Sequence, residues 1–385
     1  MRANKVLFIV LSLWLGHITS HAQPDKSISN KEAGAAFFLV GRYVESNKEA
    51  IKIYQFDGQT GNTEYLCGLK GIPNPAFLTS SSNGERIYAI GDDNGEKSTV
   101  NALCFDKETG RMSLLNSQST NGELPIYITL SSTEDFVLTA NYMGGSITTF
   151  ALDKEGCLLH GTNLIRFAGS GPNRNRQEQP HPHCVVFTPD GRFLLATDLG
   201  TDNIYLFPVS KQAEAGKAYS LIDEFGRCNI KMEAGSGPRH ICFHPNGKVA
   251  YLISELSGKI TVFSYKEGKL NRLQTIVCDP FIADGCADIH ISPDGKFLYA
   301  SKRLKEDGIV IYSIEPKQGM LTQIDYQPTG LYPRSFAISP DGCYLVVVCR
   351  DSNCIQIFER NKVTGLLKDI GKRIKLDRPA FVKFL

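Results

Sequence analysis

One pattern recurs six times along the 385 residues: an apolar strand, a tight turn, and a second apolar strand. The clearest turns are Pro189-Asp190-Gly191, Pro245-Asn246-Gly247, Pro293-Asp294-Gly295 and Pro340-Asp341-Gly342. Two degraded copies precede them, at Ser82-Asn83-Gly84 and at Ser132-Thr133-Glu134. A strand-only unit repeated at about 50 residues predicts a β-propeller, in which each unit is one blade of four strands. Six turns give six blades. The segments FFLVGRY, AIKIYQF and TEYLCGL lack a preceding inner strand, and the final PAFVKFL is one strand with nothing after it. Together they predict a seventh blade, so that both chain ends pair in one sheet and the ring has no exposed edge. No helix of significant length is expected.

Length alone would allow two domains, but a propeller grows by adding blades to one ring. With 42% hydrophobic residues the chain can bury a large core. A net charge of +2 with no long basic block argues against nucleic acid as a partner. The first 22 residues differ from the rest. Arg2 and Lys5 precede the apolar run Val6 to Leu15, and Ser20-His21-Ala22 resembles a cleavage site. Residues 1–22 therefore predict an export signal, 23–36 a polar lead-in, and 37–385 the propeller. The location expected is periplasmic or extracellular, with no membrane span once the signal is removed. Eleven cysteines, an odd number and without Cys-x-x-Cys, predict mostly buried thiols rather than a disulfide framework. A monomer is expected.

The repeats are most informative where they disagree. Indexed from the turn, five copies place a proline seven positions upstream: Pro75, Pro125, Pro182, Pro238 and Pro333. The next position reads Ala76, Ile126, His183, Arg239, Ala287 and Arg334. Ten positions after the turn proline the column reads Asp92, Tyr142, Leu199, Glu255, Arg303 and Arg350, with Asn141 and Asp198 one residue earlier in their copies. A purely structural column would hold one residue type. In an antiparallel pair, positions equidistant from the turn are neighbours. Arg239 should thus lie beside Glu255, and His183 near Asp198, all on one face of the ring near its axis. A plain salt bridge knitting the channel mouth is the competing reading of Arg239 and Glu255. His181 and His183 flank Pro182, so both could face one side of a strand. No carboxylate or third histidine has a matching register, so neither a metal nor another cofactor is expected. His240 and His290 read as structural. The loop 168–180 reads as a cover over one face, with Arg174 and Arg176 as solvated charges rather than substrate contacts. The runs GSGPNR and GSGPRH lack phosphate-loop spacing.

The runs HPHCVVFTPDGRFLLATDLGTDNIYLF, GPRHICFHPNGKVAYLISELSGKITVFSY, ADIHISPDGKFLYASKRLKEDGIVIYSI and PRSFAISPDG resemble the lactonase family of seven-bladed propellers. That family includes propeller-type 6-phosphogluconolactonases and fungal carboxy-muconate lactonising enzymes. The resemblance extends over nearly the whole chain after the signal. It implies an active-site set of His183, Arg239, Glu255 and Arg303, the same residues the two divergent columns single out. Ser254 and Lys302 stand where the family usually has asparagine. An export signal also fits poorly with a pentose-phosphate enzyme, whose substrate is cytoplasmic.

Lactone hydrolysis needs a base for water, a cation for the developing oxyanion and a proton for the leaving alkoxide. His183 or Glu255 could supply the first. Two neighbouring arginines would hold Glu255 ionised and weaken it as a base, which favours His183. Arg239 and Arg303 would bind the oxyanion or an anionic substrate group, and Arg334, Asp198, His181 and Asn141 are further substrate-binding candidates. The same residues could run a lactonising cyclisation. A non-catalytic propeller that binds a glycan or protein is the reading from another class.

Overall fold

The computed structural model describes residues 35–93, 97–210, 221–281 and 285–385. The expected signal, residues 1–22, lies outside the described residues, as does the lead-in up to residue 34. Strand Ala35–Arg42 begins two residues earlier than the expected start of the propeller.

The described residues form twenty-eight strands and no helix. These strands make seven four-stranded antiparallel sheets. Six follow chain order, as in Pro238–Phe243, Val249–Ser254, Lys259–Lys266 and Lys269–Val277. The seventh pairs Pro379–Phe384 with Ala35–Arg42, in the register Phe38↔Phe384 and Val40↔Val382. The predicted joining of the two chain ends is thus present. The first strand of each sheet touches its counterparts in the two neighbouring blades, all the way round, so these strands line the axis.

Packing between blades carries the fold. Tyr251 and Ile253 of one blade pack with Leu298 and Ala300 of the next. Phe38 and Val40 pack with Val346 and Val348 across the closing seam. Full burial of each Val, Leu, Ile or Phe side chain among them contributes about 1.5–3 kcal/mol. The eleven cysteines are free: four buried, six half-buried and Cys228 exposed.

The turns explain why the repeat is written as it is. Thr188 Oγ1 donates to Asp190 Oδ1 at 2.6 Å and accepts from the Phe193 amide at 3.1 Å. Ser292 does the same with Asp294 and Phe297, and Ser339 with Asp341 and Tyr344. The turn then needs a left-handed residue, which glycine adopts without steric cost. Gly191, Gly247, Gly295 and Gly342 take it at φ between +66° and +72°. In the copy without glycine, Glu134 is forced into the same conformation at φ +58°.

Candidate active site

At the end of the hairpins away from these turns, the inner strands do not pair cleanly. Pro125 pairs with Asn141 but Tyr127 with Ala140, so Ile126 is skipped. The same slip isolates His183, Arg239 and Arg334. In the blade of Ala287 the slip spans Ala287 and Asp288, and in the closing blade it skips Ala380. Apart from Ala76, which precedes its strand, the first divergent column is therefore a column of β-bulges. A bulge bends the strand and re-aims the side chain of the extra residue, a common device beside active sites.

The second divergent column leaves the partner strand at the same level. The Glu255 amide donates to Gly237 O at 2.8 Å, Arg303 to Gly285 O at 3.0 Å and Arg350 to Tyr332 O at 3.0 Å. In the closing blade Tyr43 does so with Arg378 O at 3.0 Å. In six blades these bonds reveal a third column, the residue before the inner strand: Leu124, His181, Gly237, Gly285, Tyr332 and Arg378; in the seventh Asp92 bonds Pro73 O, and Asn74, before Pro75, holds the column's place. Five of its members have positive φ, four of them not glycine: Asn74, Leu124, Tyr332 and Arg378.

The three columns surround a cavity of about 670 Å³ at the channel mouth. Ala76, Ile126, His183 and Arg334 reach it from the first column, and Tyr43, Asp92, Tyr142, Glu255, Arg303 and Arg350 from the second. The third supplies Asn74, Leu124, Tyr332 and Arg378.

Glu255 is the electrostatic centre. Its Oε2 accepts from Arg239 Nε at 2.7 Å and lies 3.4 Å from Arg303 Nη2, while its Oε1 meets Arg176 Nη2 at 2.6 Å. Burial alone would raise its pKa. Arg303, Arg239 and Arg176 outweigh burial and hold the carboxyl at about 2. Arg176 is thus no solvated loop charge; the loop folds inward and delivers it to Glu255. Arg239 lies beneath the cavity rather than in its wall. It is 1% exposed, donates to Ala287 O at 2.6 Å, and is pushed down to about 10 by burial and by Arg303.

His183 lines the wall. Burial, together with Arg239, His240 and Arg334, keeps its imidazole neutral by driving its pKa well below the usual histidine range. Its buried Nδ1 has no hydrogen-bond partner among the described residues. Below it the axis is filled. The His240 ring lies 5.1 Å from that of His183, and Asp288 joins His240 at 3.0 Å and His290 at 3.1 Å.

Three expected substrate contacts are corrected by their placement, since Asn141, Asp198 and His181 do not line the cavity. Asn141 is fully buried and donates to Ser146 and Thr148. Asp198 accepts from the amides of His181, Gly200 and Thr201 and from the Thr201 hydroxyl, closing its own turn instead of facing His183. His181 stacks on Tyr142 and bonds Tyr142 O and Glu178. Asn141 precedes the cavity-lining Tyr142 by one residue and Asp198 holds the same place before Leu199, and strand pleating sends alternate side chains to opposite sides. The third column and Arg176 were missed in the sequence. The position before the strand-initial proline was the available signal for the former.

The profile of the family described as Lactonase, 7-bladed beta-propeller matches residues 37–384. The chain belongs to that family. It is similar to the 6-phosphogluconolactonase of Formosa agariphila, 36% identical over 342 residues that cover 87% of this chain and 96% of the relative. Among solved structures, a Bacteroides fragilis protein is 44% identical with a TM-score of 0.88, covering 92% of this chain and 98% of its own. The periplasmic gluconolactonase of Pseudomonas aeruginosa is 27% identical with a TM-score of 0.84, covering 91% and 99%. The chain is thus a lactone hydrolase by family.

Proposed function

We propose that the chain opens a sugar lactone bearing an anionic group, phosphate or carboxylate, at this cavity. One observation carries the reading. Arg176, Arg239 and Arg303 converge on Glu255, and Arg350 pairs with Asp351 at 2.6 Å. Arg334 and Arg378 also line the cavity, yet neither has a carboxylate partner among the described residues. That surplus positive charge suits an anion on the substrate. The curated relative named 6-phosphogluconolactonase fits the same substrate class.

In this reading His183, neutral and in the cavity wall, takes the proton of the attacking water. Arg303 faces the oxyanion, a contribution of about 3–4 kcal/mol for a well-placed donor. Glu255 fixes Arg303 and Arg239 and stays ionised. The signal-like first 22 residues and the periplasmic neighbour support export, so the substrate is met outside the cytoplasm.

The test starts from chain recovered from the extracytoplasmic fraction, with Gln23 expected at its N-terminus. Glucono-1,5-lactone and its 6-phosphate are compared on wild type and on Arg334→Ala/Arg378→Ala. The double variant should lose about 100-fold in kcat/KM on the phosphate ester, as expected for loss of two charge-assisted contacts, and little on the plain lactone. Equal losses on both would remove the anion-site assignment, and a chain found only in the cytoplasm would remove export.

A further inference from the structure

Resting on the lactonase reading, the cavity lacks one participant: an acid for the leaving alkoxide. Glu255 carries no proton at neutral pH, because its arginines hold it at about 2. His183 is held neutral. The arginines do not surrender protons. Tyr142 also lines the cavity, but burial raises its phenol and makes it a poorer acid.

Tyr332 is built differently. Its φ of +60° places a bulky side chain in a backbone region that costs on the order of 1–3 kcal/mol, and such strain concentrates at functional sites. The conformation is fixed on both sides of the residue. The Tyr332 amide donates to Asp307 Oδ2 at 2.5 Å, and its carbonyl accepts from the Arg350 amide. The ring is flanked by two guanidiniums, Arg350 at 3.4 Å and Arg303 at 4.7 Å from its centroid. Arg303 Nη1 donates to the phenol oxygen at 3.0 Å. The phenol oxygen is therefore an acceptor in that bond, and its own proton has no acceptor among the described residues.

We propose that Tyr332 is the general acid of ring opening, giving its phenol proton to the alkoxide that leaves the lactone carbonyl. Water loses a proton to the His183 imidazole, which lines the cavity, as its oxygen bonds to the carbonyl carbon. The carbon–oxygen ring bond then breaks, the alkoxide takes the Tyr332 proton, and Arg303 and Arg350 face the phenolate that remains. The new carboxylic acid returns a proton to Tyr332, and His183 releases its proton to solvent. The net change is lactone plus water to hydroxy-carboxylate plus one proton.

The charges around the ring support this role. Burial alone would raise the phenol, but Arg303, Arg334 and Arg350 overcome both burial and Glu255 and bring it below the usual tyrosine value. The acid form is lost as pH rises through that lowered value, so kcat should carry a basic limb set by Tyr332.

The experiment measures kcat and KM for glucono-1,5-lactone and its 6-phosphate across pH. Tyr332→Phe keeps the ring between the arginines and should lower kcat at least 100-fold, the usual scale for a lost general acid, with KM within threefold. Replacing Tyr332 by 3,5-difluorotyrosine, which retains the hydroxyl, should restore turnover and move the basic limb to lower pH. A merely structural tyrosine would not move that limb. The assignment is overturned if Tyr332→Phe stays within threefold of wild-type kcat, or if the limb stays fixed in the fluorinated variant. A wild type that opens neither lactone overturns the lactonase reading itself, and this role with it.

Discussion

The two ends of each hairpin follow opposite rules. At the turn end, one device recurs: a Ser or Thr hydroxyl bridging to Asp190, Asp294 or Asp341, then a left-handed glycine. At the cavity end the same hairpins slip by a bulge, and the copies present side chains of different types, His183, Arg239, Arg334 and Ile126. One end sets the geometry of the ring and must be uniform. The other is held in place by its own backbone bonds, so its side chains are free to differ. The ring is also uneven. Ile126 and Ala380 occupy bulges on one side, with Ala76 at the equivalent position between them, and His183, Arg239, Ala287 and Arg334 occupy them on the other. The scaffold is therefore symmetric, while the titratable and basic bulge residues occupy one arc of it.

The sharpest way to break this separation is Glu255→Gln, because Glu255 belongs to both functions. Removing its charge leaves Arg239, Arg303 and Arg176 without their shared partner in a buried site. Breaking such a network costs about 3–5 kcal/mol. Urea unfolding should show that loss at pH 7, together with a large fall in kcat. The pH dependence has a definite sign. The folded carboxyl sits at about 2, below its ordinary 4.5, so its stabilising effect is complete above pH 4.5 and is lost as pH falls towards 2. Wild type should therefore lose more stability across that window than the Gln variant. Parallel curves would show that Glu255 is not held by its arginines.

A smaller effect separates His183 from ordinary histidine bases. Its imidazole is kept neutral well below the usual range by burial and by Arg239, His240 and Arg334. The proton-accepting form thus persists as pH falls through 6.5, and kcat/KM for glucono-1,5-lactone should show no acid limb there. A limb centred near 6.5 that disappears in His183→Ala would show that the residue is solvated and that its surroundings do not tune it.

The sequence disclosed the scaffold more fully than the site. Turn prolines and glycines report backbone geometry directly, so blade number and ring closure followed from counting them. The bulge column was visible because it sits beside a proline. Its consequence was not, since a register slip leaves no compositional mark; hence Asp198 was expected beside His183 when it in fact closes its own turn. The third column escaped because Asn74, Leu124, Tyr332 and Arg378 share a left-handed backbone rather than a side-chain type. Arg176 escaped because a loop's inward fold is decided by the charge it meets, here Glu255 across 79 positions of sequence.

The gentlest test acts on the turn end alone. Gly247 sits at φ +69°, and a Cβ there would meet only Pro189 carbons, the nearest at 3.4 Å, so space is not the obstacle. Gly247→Ala isolates the backbone term, about 1–2 kcal/mol for a left-handed non-glycine residue. In a ring of this size that corresponds to a fall in Tm of roughly 1–3 °C. The same inner strand carries Arg239 at its other end, yet kcat on the lactone should remain within twofold of wild type. The bulge is fixed by the Pro238↔Ser254 pair and the Glu255 amide bond to Gly237, neither of which touches the turn. A fall in kcat that outpaced the fall in stability would mean that strain travels along the hairpin, and that the two ends are coupled after all.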